Sequence, residues 1–300
     1  MANTRDIRRR IKSVKNTSQI TRAMQLVAAS KMKKAQDQAL AGRRYAEEMN
    51  KVLVNLRDGV EDDAHALFEV RESKRELMIV ITTDKGLCGG LNTNLLRKVT
   101  EDSVPETEFA TVGNKGKQAL ARTQRKLVAD FSVSDPVIFA EVKSISKYAT
   151  ERFLSGEIDI VRVAFTNFIN TISQEPYMAT LLPVSAIKMT QKREYEGVSD
   201  SDDVSEVYSS GVGDTGGYIF EPSPTVVLDN ILPHYINYQL YQMILESRAS
   251  EHSARMVAMK AATDAADDMV KDLTLQYNKV RQAAITSELL EITTAMKALE

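Results

Sequence analysis

The sequence predicts a mixed α and β protein in which two long terminal helices, paired antiparallel as a coiled coil, enclose a central α/β domain. Three observations predict it. A seven-residue apolar repeat runs through each end of the chain, the middle switches to alternating strand-like and helix-like segments, and glycine and proline are almost absent from the two ends.

From Arg5 to Leu56 the repeat places Ile7, Ile11, Val14, Thr21, Ala28, Met32, Ala35, Ala39, Ala46, Met49, Leu53 and Leu56 on one seam, with Gly42 the single glycine and no proline. A second seam runs through Leu245, Ala249, Met256, Met259, Ala266, Val270, Leu273, Tyr277, Val280 and Ala284. Heptads sustained this long predict coiled-coil helices. At 1.5 Å per residue each would be on the order of 80 to 90 Å, more than a compact globule holds.

The first helix should begin near Asn3 or Thr4, with Asp6 favouring the positive end of the helix dipole, and should stop at Arg57–Asp58–Gly59. Leu77–Thr83 is an apolar run closing on Asp84–Lys85–Gly86, the pattern of a buried strand entering a turn. Helical patterns follow near Leu91–Thr100, Lys115–Arg122 and Val137–Leu154. They alternate with strand-like pieces at Phe109–Val112, Lys126–Ala129, Ile158–Phe165 and Met178–Ile187, which predicts a mainly parallel sheet. Ile158–Phe165 alternates imperfectly and reads as an edge or antiparallel member. Residues 194–217, rich in Ser, Asp and Gly, read as a mobile insertion. The last helix should start after Ser223–Pro224, with Pro233 bending or restarting it, and run without Pro or Gly from Tyr235 to the end. The expected divisions are a helix over 1–58, an α/β domain over 75–193, the insertion and a foot segment over 194–222, and the long helix over 223–300.

The C-terminal helix is the longer one, so its end should project beyond its partner. Leu289, Leu290, Ile292 and Met296 would then need an apolar environment supplied by another protein, as if entering a sleeve. Charge is divided unevenly. The net formal charge is −2, yet residues 1–44 hold twelve Lys and Arg against two Asp, so the N-terminal arm should attract an acidic partner. Cys88 is the only cysteine, which excludes an intrachain disulfide. The longest aliphatic run, about five residues around Leu77–Ile81, is far too short to span a bilayer.

No catalytic constellation emerges. The loop Thr82–Gly90 lies between a strand and a helix, where nucleotide folds cradle phosphate, but it lacks the Walker spacing and the dinucleotide fingerprint, so its glycines read as structural. Cys88 reads as a partly buried, inert thiol. His65, His234 and His252 are scattered, and Asp200–Asp203 lacks the form of a calcium loop, so neither metal nor cofactor is expected. His252 falls on the C-terminal seam as a packed polar residue. The alternative of a basic coiled-coil nucleic-acid binder fits poorly, because the seam overlaps the basic residues instead of following them.

Several segments carry a family resemblance. Ile20–Thr21–Arg22–Ala23–Met24–Gln25–Leu26–Val27–Ala28–Ala29–Ser30–Lys31–Met32, the loop Asp84–Asn92, Asn167–Thr171 with Gln174 and Pro176, Tyr218–Pro222, Ala254–Asp264 and Tyr277–Thr286 together resemble the gamma-subunit family of ATP synthases, in family order over nearly the whole chain. The resemblance implies an F-type rotor shaft. Its terminal helices would turn inside a ring of alternating alpha and beta subunits. A Rossmann-like central domain would lie beside the epsilon subunit and the c-ring, and nucleotide chemistry would stay on alpha and beta. Carried over by position, Met24, Arg281, Gln282, Thr286 and Glu288 would contact the beta subunit. Tyr218, Phe220 and Glu221 would face epsilon and the c-ring. The insertion over 194–217 is longer than the family's connection, and a single cysteine rules out the thiol switch of chloroplast members. With no transit segment visible, the expected location is the cytoplasmic face of a bacterial membrane, held there through the complex.

Overall fold

The computed structural model describes residues 4–58, 65–71, 75–184 and 221–299, and forms two compact units, residues 1–29 with 255–300 and residues 30–254. The described elements are, in order, α1 Thr4–Asp58, β1 Glu76–Ile81, α2 Leu91–Asp102, β2 Glu108–Val112, α3 Asn114–Arg122, β3 Leu127–Phe131, α4 Phe139–Leu154, β4 Ile160–Phe168, β5 Gln174–Leu182 and α5 Pro224–Leu299. The terminal helices contain 55 and 76 residues. The whole Ser/Asp/Gly-rich segment, residues 194–217, with Tyr218 and Phe220, lies outside the described residues.

Within residues 30–254 the five strands form one sheet in the order β3-β2-β1-β4-β5. The first four are parallel, and β5 runs antiparallel to β4. Strand β1 is buried along its whole length. Its alternate side chains enter two cores. Met78 and Val80 meet Leu95 and Val99 of α2 and Leu120 of α3 on one face. Leu77, Ile79 and Ile81 share the other core with Val142, Ile145 and Phe153 of α4. Burial on both faces explains why β1 reads as a continuous apolar run. The second core also takes Leu53 and Leu56 of α1 with Leu232, Ile236 and Ile244 of α5, so this part of the helix pair packs on the sheet. Each such side chain, fully buried, contributes roughly 1.5–3 kcal/mol.

Two expectations need correction in part. Ile158–Phe165 corresponds to β4, which is not an edge strand but does pair antiparallel with β5, as its antiparallel reading expected, and pairs parallel with β1 on its other side. Its pattern is imperfect because both its faces are largely buried, which removes the polar alternation of an edge strand. The edge strands are β3 and β5, and β5 begins at Gln174, four residues before the expected start, because its pairing with β4 already holds Gln174 opposite Phe168. Pro233 does not restart α5, which runs helical through it. Buried Leu228, Leu232 and Ile236 hold both sides of the proline in the same core, and such tertiary packing offsets the lost backbone hydrogen bond.

Ligands of open α/β sheets bind outside the carboxyl ends of the strands, where the chain order reverses. Here that position, between β1 and β4, is filled by α5. Arg248 donates to Asp84 Oδ2 at 3.1 Å, just after β1, and to the Val133 carbonyl at 2.8 Å, just after β3. Ser250 donates to the Thr166 carbonyl of β4 at 3.1 Å. The backbone amides around the Gly-rich loop are also taken. Thr83 N–H donates to Asn92 Oδ1, Asn114 N–H to Asp84 Oδ1, Lys115 N–H to the Thr83 carbonyl and Gly116 N–H to Thr82 Oγ1. A phosphate cradle needs such donors free. Cys88, expected to be partly buried, is fully buried.

Asp135 joins this region from the β3–α4 loop. It accepts from Lys31 of α1 at 2.7 Å and lies 3.3 Å from His252 Nε2. His252 is thus buried but turned to this loop. Burial works against the Asp135 carboxylate, but the Lys31 hydrogen bond and the charges of His252, Lys31 and Arg248 outweigh it and hold its pKa below the ordinary range. Glu108 behaves alike: burial opposes its charge, and hydrogen bonds from Lys126 and Arg152 prevail. A lowered folded-state pKa means stability that is present above the ordinary carboxylate range and lost as pH falls through the lowered value. Acid titration followed by circular dichroism should show this loss below the ordinary carboxylate range, and Asp135→Asn should make the unfolding less steep there.

Candidate interaction surface on the terminal helix pair

The unit formed by residues 1–29 and 255–300 is an antiparallel helix pair. Arg8 lies over the Tyr277 ring at 5.8 Å, Ser18 Oγ donates to Asp267 at 2.7 Å, and the hydroxyls of Thr21 and Thr263 are 2.6 Å apart. Partner numbers fall on α5 as they rise on α1, which fixes the direction. On α1 the seam steps by four and three through Ile7, Ile11, Val14, Ser18, Thr21, Gln25 and Ala28, each buried or half-buried. On α5 it steps through Met256, Met259, Thr263, Ala266, Val270, Leu273, Tyr277 and Val280. Ser18 and Thr263 were missing from the apolar reading, because a search for apolar residues passes over hydroxyls. Their spacing was the available signal.

The threonine pair is satisfied within the seam. One hydroxyl donates to the other, which in turn donates to its own carbonyl acceptor, Met259 for Thr263 or Ser18 for Thr21. Removing one hydroxyl leaves the other with fewer partners, whereas removing both leaves two matched apolar groups. Thr21→Val should cost about 1 kcal/mol, and Thr21→Val with Thr263→Val less than the sum of the single changes. Thermal unfolding of the four species measures the coupling.

Beyond Val280 the environment changes. Every residue from Arg281 to Lys297 is exposed. The antiparallel register sets Thr4, where α1 begins, about level with residue 281. The apolar rhythm changes at the same place. Continuing the seam by fours and threes from Ala284 gives Ser287, Glu291 and Thr294, all polar. The large apolar residues are instead Ile285, Leu289, Ile292 and Met296, also spaced by fours and threes but displaced from the seam by one or two positions, with Leu290 beside them. These five side chains are between 48% and 66% exposed. An apolar stripe on a new face, starting where the partner helix ends, is a surface for another protein.

The residues expected to make contacts fall around this stripe. Helical geometry puts Arg281 and Glu288 along one border and Gln282 and Thr286 along the other, the polar rim of an apolar strip. All four are exposed, and the Thr286 hydroxyl donates to the Gln282 carbonyl at 2.9 Å. Met24 is not brought to them. It is half-buried on α1 near the level of residue 260, about 30 Å along the helix from Arg281. Around Met24, Ile20, Leu26 and Val27 are exposed on the basic helix, whose Arg9, Arg10, Lys12, Lys15 and Arg22 are exposed as well. Glu221 is exposed in the larger unit. Sequence reasoning missed Ile285 in the stripe and the Arg248 cluster in the larger unit. For the latter, the signal was a polar run, Glu246–Ser253, inside an otherwise apolar stretch of helix.

An antiparallel seam, an apolar stripe left uncovered beyond it and a sheet whose ligand position is occupied by its own helix define a coiled-coil subunit of a larger assembly. The sequence profile described as ATP synthase matches residues 3–299. The chain is 50% identical over 298 residues to the ATP synthase gamma chain of Opitutus terrae, covering 99% of both chains. It is 45% identical over 300 residues to that of Akkermansia muciniphila, covering 100% of both. It therefore belongs to the ATP synthase gamma-chain family. Among solved structures, a chain of the Euglena gracilis mitochondrial ATP synthase, from its OSCP/F1/c-ring assembly, shares the fold with a TM-score of 0.66 at 21% identity, over 99% of this chain and 94% of that one. A chain of the Tetrahymena thermophila central stalk/c-ring structure aligns at 0.59 and 26% identity, over 81% and 99%.

Proposed function

We propose that the chain is the central rotor shaft of an F-type, proton-translocating ATP synthase, coupling rotation of a c-ring to the conformational cycle of catalytic beta subunits. The observation that carries the reading is the apolar stripe Ile285–Met296, which opens on a new face where α1 ends, in a chain of this family. Its occupant is the sleeve of an alpha and beta ring. Arg281, Gln282, Thr286 and Glu288 on the stripe's borders meet beta-subunit loops, and Met24 meets the beta subunit separately, nearer the other end of the pair. The exposed basic residues of α1 attract acidic loops at long range without a single locked geometry, which suits a part that must meet several beta conformations in turn.

Tyr218, Phe220 and Glu221 face the epsilon subunit and the c-ring. Nucleotide chemistry stays on the alpha and beta subunits, and this chain contributes contacts only. In support, α5 fills the sheet's ligand position, bonding through Arg248 and Ser250 to residues at the ends of β1, β3 and β4. No helix among the described residues is long and apolar enough to cross a membrane. We place the chain at the cytoplasmic face of a bacterial membrane as a peripheral subunit, joined to it through its partners. Co-purification tests the assembly: tagged chain should retain alpha, beta and epsilon subunits in a complex that hydrolyses ATP. Recovery of a homodimer bound to nucleic acid, without those subunits, would overturn the reading.

A further inference from the structure

From Met243 to Ser253 helix α5 is buried on every side, although Glu246, Arg248, Glu251 and His252 lie in that stretch. One turn earlier the same helix is buried through Leu240, Ile244 and Leu245, so apolar residues suffice for packing at this depth. Buried ion pairs rarely add stability over apolar residues of similar size, so a charged cluster here calls for a reason other than stability. Its bonds supply one. Arg248 is held by three acceptors on three segments: Asp84 at 3.1 Å after β1, the Val133 carbonyl at 2.8 Å after β3, and Glu251 at 2.8 Å on α5. Burial opposes its charge, but Glu251 and Asp84 more than offset this and raise its pKa. Two residues beyond Val133, Asp135 takes Lys31 of α1 and lies beside His252 of α5. Both helices are thus bonded to the same sheet-edge loop.

Apolar packing is non-directional and resists sliding or twisting weakly, whereas a planar guanidinium held by several acceptors fixes an orientation. The geometry points to Arg248 as a positioning residue that locks the helix pair against rotation on the α/β domain, a torsional latch through which a turning moment passes between sheet and helices. The inference rests on the rotor reading, since only a part that transmits rotation needs such a latch.

The test uses the whole ATP synthase, with a bead on the α/β domain and the catalytic ring fixed and stalled. In wild type the bead should turn with ATP and fluctuate narrowly when stalled. Arg248→Met should leave ATP hydrolysis within about twofold, while widening the variance of the stalled bead about twofold or more, as charged hydrogen bonds to two loops are lost. Arg248→Lys, a charge without the planar fork, should fall between. An assembled, rotating Arg248→Met complex with unchanged variance would overturn the latch alone. A wild-type bead that never turns would instead overturn the rotor reading. If Arg248→Met does not assemble, Asp84→Asn carries the comparison, because it keeps the Oδ1 acceptor for the Asn114 amide and replaces the charged Oδ2 acceptor facing Arg248 with an uncharged donor. Widened variance then supports the latch and unchanged variance overturns it.

Discussion

Truncation after Val280 is expected to cut ATP-driven torque severalfold and to weaken assembly with the alpha and beta ring, while the α/β domain stays folded. The deletion removes the five apolar side chains of the displaced stripe and the four polar residues on its borders. Fully burying one such apolar side chain is worth roughly 1.5–3 kcal/mol, and each 1.4 kcal/mol changes an equilibrium tenfold. Even partial burial of the stripe in a sleeve therefore amounts to a loss of about a hundredfold in the hold on the ring. The α/β domain should not notice, because every residue from Arg281 to Lys297 is exposed and contributes to neither of its cores. Rotation of a loaded bead reports the torque, and far-ultraviolet circular dichroism with limited proteolysis reports the fold. Unchanged torque and assembly would refute the importance given to the stripe.

The second large effect is at Gly113, and its sign is opposite in kind: fold lost before function. Gly113 precedes α3 with φ +99°, a conformation side chains rarely adopt, and a Cβ there would overlap the Thr82 carbonyl oxygen. That carbonyl belongs to the loop following β1 and cannot withdraw without disturbing it. The Thr82 amide bonds to Val112 at 2.8 Å and its hydroxyl accepts from Gly116 at the same distance. Gly113→Ala should therefore cost about 3 kcal/mol or more, from backbone strain and steric overlap together. Thermal unfolding measures it. By contrast Gly89, also at positive φ but with open space where a Cβ would sit, should cost less on substitution by alanine, about 1 kcal/mol. A Gly113→Ala protein as stable as its parent would show that this approach is not tight.

The two helices were legible in the sequence because coiled coils write their contacts as a period. The seam failed to show only where polar side chains replace apolar groups, at Ser18, Gln25 and Thr263. The sheet was legible as strand–helix alternation, and β4 misled because a strand covered on both faces loses the alternation that separates edge from interior. The overhang, too, was visible, since a longer helix carrying Leu289, Leu290, Ile292 and Met296 past its partner has to leave them uncovered. What was hidden is the displacement of the apolar face by one or two residues, which becomes visible only once the register of the pair is fixed by Arg8 with Tyr277 and Ser18 with Asp267.

The Arg248 cluster was illegible for a different reason. Its members lie at positions 31, 84, 135, 248, 251 and 252, and no spacing rule joins residues that only the fold brings together. Sequence could say that a polar run interrupts an apolar helix, but not which loops receive it. The same holds around the Gly-rich loop. Its glycines and its place after a strand invite a phosphate reading, and only the fold shows that the amides of Thr83, Asn114, Lys115 and Gly116 beside it are hydrogen-bonded within the chain.

One measurement addresses the central claim most directly. With the alpha and beta ring fixed to a surface and a bead attached to the α/β domain of this chain, addition of ATP should produce sustained, unidirectional rotation in three equal steps per turn, one for each catalytic beta subunit. A bead that stays fixed, or that only diffuses without direction while the ring hydrolyses ATP, would contradict the account of this chain as the turning part.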